Sequence, residues 1–262
     1  MTSATGKDKR ARAQRKRANA EPSKAGISSK SRTFWFCAIF SVAFLLRVIY
    51  LAQIESIPLF YHMAGDGRTY DEWAQRIAAG EWLGEGVFYQ APLYPYFLAI
   101  LQSLFGHNLW AIRFVQLLLG SLSCGLIFLA GDKLFSRAAG LAAGLILACY
   151  APAIFFDVLI EKSILDFFLI SCLLFLLIGR VHDEKWGRWL VAGMVSGLLG
   201  LSRENALVLV PVIALWLAIS FTRTSLQLRA RWLGLYLAGV LLILLPVGLR
   251  NFAKGGEFQL TT

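Results

Sequence analysis

Charge and metal-binding residues are scarce in this sequence. Only 16% of its 262 residues are charged, whereas 57% are hydrophobic. In a soluble domain of ordinary composition about a quarter of the residues are charged. The four cysteines and three histidines are scattered along the chain, so their spacing indicates neither a disulfide framework nor a zinc site. The composition excludes an ordinary soluble domain and indicates a polytopic helical membrane protein.

Seven apolar segments approach the roughly 20 residues that a membrane-spanning helix needs. They cover residues 34–52, 109–130, 138–156, 164–179, 189–201, 206–221 and 232–249. The segment 189–201 is short, and its small-residue steps at Gly193, Gly197 and Gly200 predict a helix packed inside the bundle. We therefore predict an all-α fold, a polytopic transmembrane bundle of about seven spans in residues 34–262.

The excess positive charge is concentrated at the N-terminus. Residues 1–33 contain ten Lys or Arg and two acidic residues, and they have almost no apolar residues. Such a segment cannot form a core, and we predict a disordered tail. Nucleic-acid binding is one interpretation of this charge. We favour a cytoplasmic tail that touches anionic membrane lipids, with no nucleic-acid partner, because an apolar helix follows directly.

The charges of the connecting loops predict the topology. If the segment Leu93–Phe105 lies in the membrane interface and does not span, three inner loops carry eight positive residues. The outer turns and the C-terminal end then carry four, namely Lys162, Arg203, Arg250 and Lys254. The positive-inside rule favours this arrangement, with the N-terminus in the cytoplasm. We expect a multi-pass protein of the bacterial cytoplasmic membrane.

The long polar segment after the first apolar helix is the main candidate for chemistry. It covers residues 57–95 and carries Asp66, Arg68, Tyr70 and Asp71 near its start. Residues 70–79 are predicted to form an amphipathic helix, as are residues 93–105. Asp66 precedes the first of these helices. It is either a helix cap or a base that acts on a substrate arriving from outside the membrane.

Further charged residues lie at the ends of the apolar segments. Asp157 and Glu161 are four residues apart, as are Lys162 and Asp166, so each pair would share a helix face. Lys162 and Asp166 either form a local pair, or Lys162 binds a phosphate beside carboxylates that bind a metal or a sugar. Arg203 and Arg250 either reach lipid phosphate or hold a bound phosphate. For Arg47 and Arg113, inside the helices, we expect snorkelling to the interface.

The order of these motifs resembles the dolichyl-phosphate-mannose protein mannosyltransferase-like superfamily, the C-type membrane glycosyltransferases, in its N-terminal half. Lipid A aminoarabinose transferases belong to the same group. The matching residues lie in five regions of the chain. They are Asp66, Tyr70, Asp71, Trp73 and Ala74; residues 89–95, which read YQAPLYP; and then residues 157–162, 202–205 and 249–251.

The resemblance implies transfer of a sugar from a polyprenyl-phosphate donor to a lipid or protein acceptor on the outer face, with inversion. It assigns the catalytic base to Asp66. Candidate substrate-binding residues follow along the chain: Arg68, Tyr70, Tyr89, Asp157, Lys162, Arg203 and Arg250. A divalent cation at Asp66 and Asp157 is compatible with the superfamily, but the sequence establishes no cofactor. Because family members are usually longer, we expect this chain to be truncated at its C-terminus.

Two other functions are open from the sequence. A transporter or flippase for a lipid-linked substrate often has two related halves and helices broken in mid-membrane, and neither feature is apparent here. A non-catalytic membrane scaffold, derived from a truncated transferase, is the second alternative.

Overall fold

The computed structural model describes residues 29–61, 63, 65–178, 187–221 and 224–261. The chain divides into two compact units, Met1–Trp35 and Phe36–Thr262. The predicted disordered tail lies almost entirely outside the described residues. Contacts discussed below all lie within the second unit.

The described residues are all-helical, as predicted, with ten α-helices and two short 3₁₀ segments, Pro58–Phe60 and Glu204–Val208. The α-helices are α1 (Ser29–Ile54), α2 (Asp66–Ala78), α3 (Leu93–Phe105), α4 (Leu109–Leu134), α5 (Arg137–Ala148), α6 (Ala151–Val158), α7 (Ser163–Leu177), α8 (Gly187–Ser202), α9 (Leu209–Ile219) and α10 (Leu226–Gly255).

Fewer helices than predicted are long enough to cross a membrane. By length and composition, three helices in the described part of the chain qualify: Lys30–Ile54, Leu109–Leu134 and Leu226–Gly255. A fourth is added if α5 and α6, which are bent by 53° at their junction, form one broken span. The helices α3, α7 and the segment Glu204–Ile219 are apolar but shorter. The count of about seven spans, and the orientation of the chain, stay predictions.

The bend between α5 and α6 corrects the expectation of one continuous helix over residues 138–156. The first helix ends at Ala148 and the next begins at Ala151, with Pro152 in its first turn. Proline has no backbone N–H to donate and is accommodated at the start of a helix. A continuous helix would place this proline in its interior, so the chain breaks before it.

Small residues allow α8 and α10 to pack at close range, as their spacing predicts. A Cβ atom on Gly193 would collide with the backbone carbonyl of Tyr236, and one on Gly239 would collide with that of Leu190. Cβ atoms on Gly197 and Gly200 would collide with the side chains of Ile243 and Leu207. The glycines of α8 thus hold this short helix inside the bundle.

The polar connection between α1 and α4 contains the two helices predicted there. The helix α3 has the predicted bounds, and α2 buries Tyr70, Ala74 and Ile77 on one face. Asp71 lies on the same buried side. Its carboxylate accepts hydrogen bonds from Gln75 and Gln102, and it lies 2.9 Å from His107 Nε2. These contacts fix α2 against α3.

Candidate active site

A rigid turn between α6 and α7 forms the base of the candidate site. Helix α6 ends at Val158 and α7 begins at Ser163. The backbone carbonyls at the end of α6 and in the turn therefore lack the hydrogen-bond partners that a continuous helix would provide. Side chains of α4 replace the missing bonds. Gln116 Nε2 donates to the carbonyls of Asp157 (3.0 Å) and Leu159 (2.6 Å). Arg113 Nε donates to the carbonyl of Val158 (2.8 Å). These hydrogen bonds from α4 hold the backbone of the turn in place.

A buried ion pair anchors the same turn to α1. Arg47 Nε lies 2.6 Å from Asp157 Oδ2, and the two side chains are only 1% and 6% exposed. Arg47 also donates to the carbonyls of Ala43 and Ala148. Gly120 makes room for the pair, because a Cβ atom at this position would collide with the Asp157 carboxylate.

These contacts correct three expectations from the sequence. Arg47 and Arg113 do not snorkel, because they are 1% and 2% exposed and donate to partners inside the bundle. Asp157 and Glu161 do not share a helix face, because the helix ends between them. Asp157 was a candidate substrate ligand, but its buried carboxylate is bound to Arg47 and presents no surface to a substrate.

The start of α2 lies directly against this turn. Gly65 precedes the helix with φ at +59°, a conformation that glycine adopts without strain. Asp66 is the first helical residue, and no side chain caps the helix, so the capping interpretation of Asp66 is not found. A Cβ atom on Gly67 would lie 2.8 Å from the carbonyl oxygen of Ile160. Glycine at this position is therefore what allows α2 to approach the turn.

The approach brings Asp66 into electrostatic range of Glu161. Burial raises the pKa of the Glu161 carboxyl above its ordinary value, and the negative charge of Asp66 raises it further. The positive charge of Lys162 acts in the opposite direction, together with the backbone N–H groups of Gly67 and Lys162. Two carboxylates and one ammonium group thus meet where α2 begins.

Tyr70 lies on the buried side of this cluster. Burial, followed by the charges of Asp66, Glu161 and Asp166, raises the pKa of its phenol to about 12. The ring is 1% exposed and meets the ring of Tyr94 edge-to-face, with 5.4 Å between centroids. This burial corrects the expectation of direct substrate contact, and Tyr70 packs in the core against Tyr94.

A second ion pair lies within the field of the same cluster. Arg203 Nε lies 2.8 Å from Asp166 Oδ2, and Ser202 Oγ donates to Asp166 Oδ1 at 2.6 Å. Asp166 therefore joins α7 to the end of α8, whereas the sequence suggested a local pair with Lys162. The Arg203 side chain is 52% exposed, so part of its guanidinium faces away from Asp166 and is accessible.

The remaining predicted residues lie elsewhere. Arg68 is exposed and paired with Glu72, one turn along the same helix, at 2.7 Å. Its pKa is raised above the ordinary arginine value by the hydrogen bond and charge of Glu72. Tyr89 is 85% exposed. It lines a cleft of about 970 Å³, together with Arg250 and residues of α2 and of the segment 80–90.

The Arg250 side chain is bound to backbone carbonyls. Its guanidinium donates to the carbonyls of Leu83 and Gly86, and it lies 3.7 Å above the centroid of the Phe88 ring. Asn251 continues this contact, because its side chain accepts from the N–H of Phe88 and donates to the carbonyls of Gln259 and Thr261. These two residues fix the wall of the cleft, so the phosphate-binding role expected for Arg250 does not fit its contacts.

A divalent cation held by Asp66 and Asp157, which the superfamily would allow, does not fit the geometry. Its two proposed ligands were Asp66 and Asp157, and the second is bound to Arg47. Among the residues that the structure describes, no group of three or more His, Cys, Asp or Glu is arranged to hold a metal ion. We therefore derive no step through a metal.

Of the predicted residues, Asp66 and Lys162 both act electrostatically on Glu161, and Asp66 and Arg203 both act on Tyr70. Glu161 and Asp166 also belong to this cluster, although the resemblance assigns them no substrate-binding role. The signal for Glu161 was its position beside Lys162 outside an apolar helix. What could not be read from the sequence was the end of α6 at Val158, which turns this residue toward α2.

Comparison with known proteins identifies the family. The family described as dolichyl-phosphate-mannose-protein mannosyltransferase matches residues 89–249, more than half of the chain. No curated protein and no solved structure matches the chain. The apolar helices and this match fit an integral membrane protein. The chain belongs to the dolichyl-phosphate-mannose-protein mannosyltransferase family of membrane glycosyltransferases.

Proposed function

We propose that this protein transfers a sugar from a polyprenyl-phosphate donor to a hydroxyl-bearing lipid or protein acceptor, with Asp66 as the catalytic base. The observation that carries the proposal is the contact between the start of α2 and the turn at Ile160, in a chain of this family. It brings the exposed carboxylate of Asp66 into electrostatic range of Glu161, on which Lys162 also acts, and Arg203 acts with Asp66 on Tyr70. Transfer of a sugar from a phosphate requires a base for the acceptor and positive charge for the leaving phosphate.

The reaction proceeds as a single displacement. Asp66 accepts the proton of the acceptor hydroxyl while the acceptor oxygen attacks the anomeric carbon of the donor sugar. The bond from that carbon to the phosphate oxygen breaks, and the polyprenyl phosphate leaves with the electron pair. Because attack occurs opposite the leaving group, the anomeric centre inverts, and no covalent enzyme intermediate forms.

Two cations are suited to the leaving phosphate. Lys162 lies in the turn beside Glu161, and Arg203 presents the free side of its guanidinium. Positive groups fixed before the reaction stabilise the charge that develops on a departing phosphate. Asp166 and Ser202 hold Arg203 in place, which restricts the rotation of its long side chain.

In this proposal Asp66 is the base, and the other residues of the cluster have supporting roles. Glu161 and Asp166 neutralise part of the local positive charge of Lys162 and Arg203. Arg68 and Tyr89 are exposed and available for substrate contact. The reaction would take place at the outer face of a bacterial cytoplasmic membrane, with the N-terminus in the cytoplasm and membrane lipids around the bundle.

Turnover of a labelled donor tests the proposal. The purified chain in detergent is mixed with polyprenyl phosphates that carry different radiolabelled sugars, and release or transfer of the label is measured. We expect turnover of at least one donor. Absence of turnover by a folded preparation that binds the donor would contradict the proposal and favour a scaffold. Movement of the intact donor across proteoliposomes, without sugar release, would favour a flippase.

A further inference from the structure

A cleft along α2 has the chemistry of a carbohydrate site. It is lined by one stripe of α2 that includes Thr69, Trp73 and Arg76, by the segment 80–90, and by the end of α10. None of the residues of the Asp66 cluster lines it. Its volume, about 970 Å³, is at the upper end of the roughly 300–1,000 Å³ of small-molecule pockets. It is large enough for more than one sugar ring.

Aromatic rings face the space. Tyr89 is 85% exposed and Trp82 is 49% exposed, and both line the cleft. Exposed rings of this size offer apolar faces that pack well against the C–H faces of a sugar. Tyr and Trp also carry a polar group at the ring edge, which suits a ligand covered with hydroxyl groups.

The charges of the lining are mixed in sign. Arg76 and Lys254 offer donors, and Glu81 and Glu85 offer acceptors. The third cation, Arg250, already donates to the carbonyls of Leu83 and Gly86. A phosphate or other anion would therefore meet two carboxylates. A neutral polyhydroxyl ligand donates to such carboxylates and accepts from such cations.

The wall formed by the segment 80–90 is fixed before any ligand arrives. Arg250 holds the carbonyls of Leu83 and Gly86, and the buried Asn251 holds the N–H of Phe88. Gly84 allows this approach, since a Cβ atom there would lie 3.3 Å from the Arg250 guanidinium. A preorganised wall loses less conformational entropy when it binds a ligand.

The cleft is also close to the proposed base along α2. Thr69 is three residues after Asp66, which corresponds to about 4.5 Å along the helix axis. A ligand bound against Thr69 and Trp73 can extend a hydroxyl group past the start of the helix. We propose that this cleft binds the glycan portion of the acceptor, so that the acceptor of this transferase is itself a carbohydrate-bearing molecule. This inference rests on the proposed function.

Binding to an array of oligosaccharides tests the inference. The full chain, fluorescently labelled in detergent, is applied to printed glycans from mono- to hexasaccharides. We expect binding that favours glycans longer than one sugar. Tyr89→Ala should weaken it roughly three- to tenfold, the effect of losing one aromatic contact. Arg76→Ala should weaken it as well. Tyr150→Ala is the matched control, because Tyr150 is an exposed tyrosine (54%) that does not line the cleft.

Three results would overturn the inference. The first is binding to no glycan on the array. The second is glycan binding that neither cleft variant weakens beyond the Tyr150→Ala control. The third is saturable binding of a Ser/Thr-rich peptide that depends on Tyr89 and Arg76. Donor turnover is measured on the same preparation. Turnover without glycan binding would refute only the acceptor assignment, whereas glycan binding without turnover would refute the proposed transferase.

Discussion

Removing one partner of the buried Arg47–Asp157 pair should cost more stability than removing both. Both side chains are almost fully buried, and 2.6 Å separates Arg47 Nε from Asp157 Oδ2. Breaking a buried pair on one side leaves an uncompensated charge and costs about 3–5 kcal/mol. Arg47→Met also gives up the bonds to the carbonyls of Ala43 and Ala148, each worth about 1 kcal/mol.

The double variant Arg47→Met with Asp157→Leu removes both charges and keeps apolar volume. We expect it to lose only about 1–3 kcal/mol, because no unpaired charge remains. The two single losses sum to about 8–12 kcal/mol, so the coupling between the substitutions should be on the order of 5 kcal/mol or more. Thermal unfolding in detergent measures it, and the midpoint of Arg47→Met should fall by about 10–28 °C.

The exposed pair between Arg68 and Glu72 provides the matched control. Its side chains are 72% and 58% exposed, and exposed pairs contribute little to stability. Arg68→Met should therefore leave the unfolding midpoint unchanged. If Arg47→Met and Asp157→Leu were simply additive, or if Arg47→Met were as mild as Arg68→Met, the anchoring of the turn by this pair would be refuted.

Three further substitutions test how the site is assembled. Gly67→Ala places a methyl group 2.8 Å from the carbonyl oxygen of Ile160, and donor turnover should fall about 10–100-fold through misplacement of Asp66. Gly234→Ala, which meets no atom within 4 Å, should keep full turnover and so control for the loss of glycine. Glu161→Gln should remove a pH dependence of stability. The raised pKa of Glu161 means that the folded state binds its proton more tightly, so wild-type stability should fall as pH rises from the ordinary glutamate pKa through the raised one. A melting temperature with the same pH slope in both proteins would contradict this. Asn251→Ala should free residues 80–90, which glutamyl endopeptidase would then cleave faster at Glu81 and Glu85; unchanged cleavage would show that Asn251 does not hold the wall.

The helices were predictable because their periodicity and turn residues are local. The bounds of α3 and the buried face of α2 follow from apolar spacing. Glycines at four-residue spacing likewise indicate the close packing of α8. Apolar length was a poorer guide to the junction between α5 and α6, where Pro152 carried the signal for the break.

The candidate site was only partly predictable, because its geometry depends on long-range partners. Arg47 and Asp157 are 110 residues apart in the sequence. Taken alone, each resembles a charged residue that lies at the membrane–water interface. Arg203 similarly finds Asp166 across 37 residues of chain. Spacing rules describe neighbours on one helix and contain no information on which helices meet. The sequence therefore indicated the charged residues but not their pairing.

The most direct test of the central claim is donor turnover by Asp66→Asn compared with Glu72→Gln, with donor binding measured on the same samples. Glu72 is an exposed acid of the same helix and is paired with Arg68. If Asp66 is the base, Asp66→Asn should bind the donor normally but turn it over about 10²–10⁴-fold more slowly. Glu72→Gln should retain wild-type turnover. Full activity of Asp66→Asn, or equal losses in the two variants, would contradict the assignment.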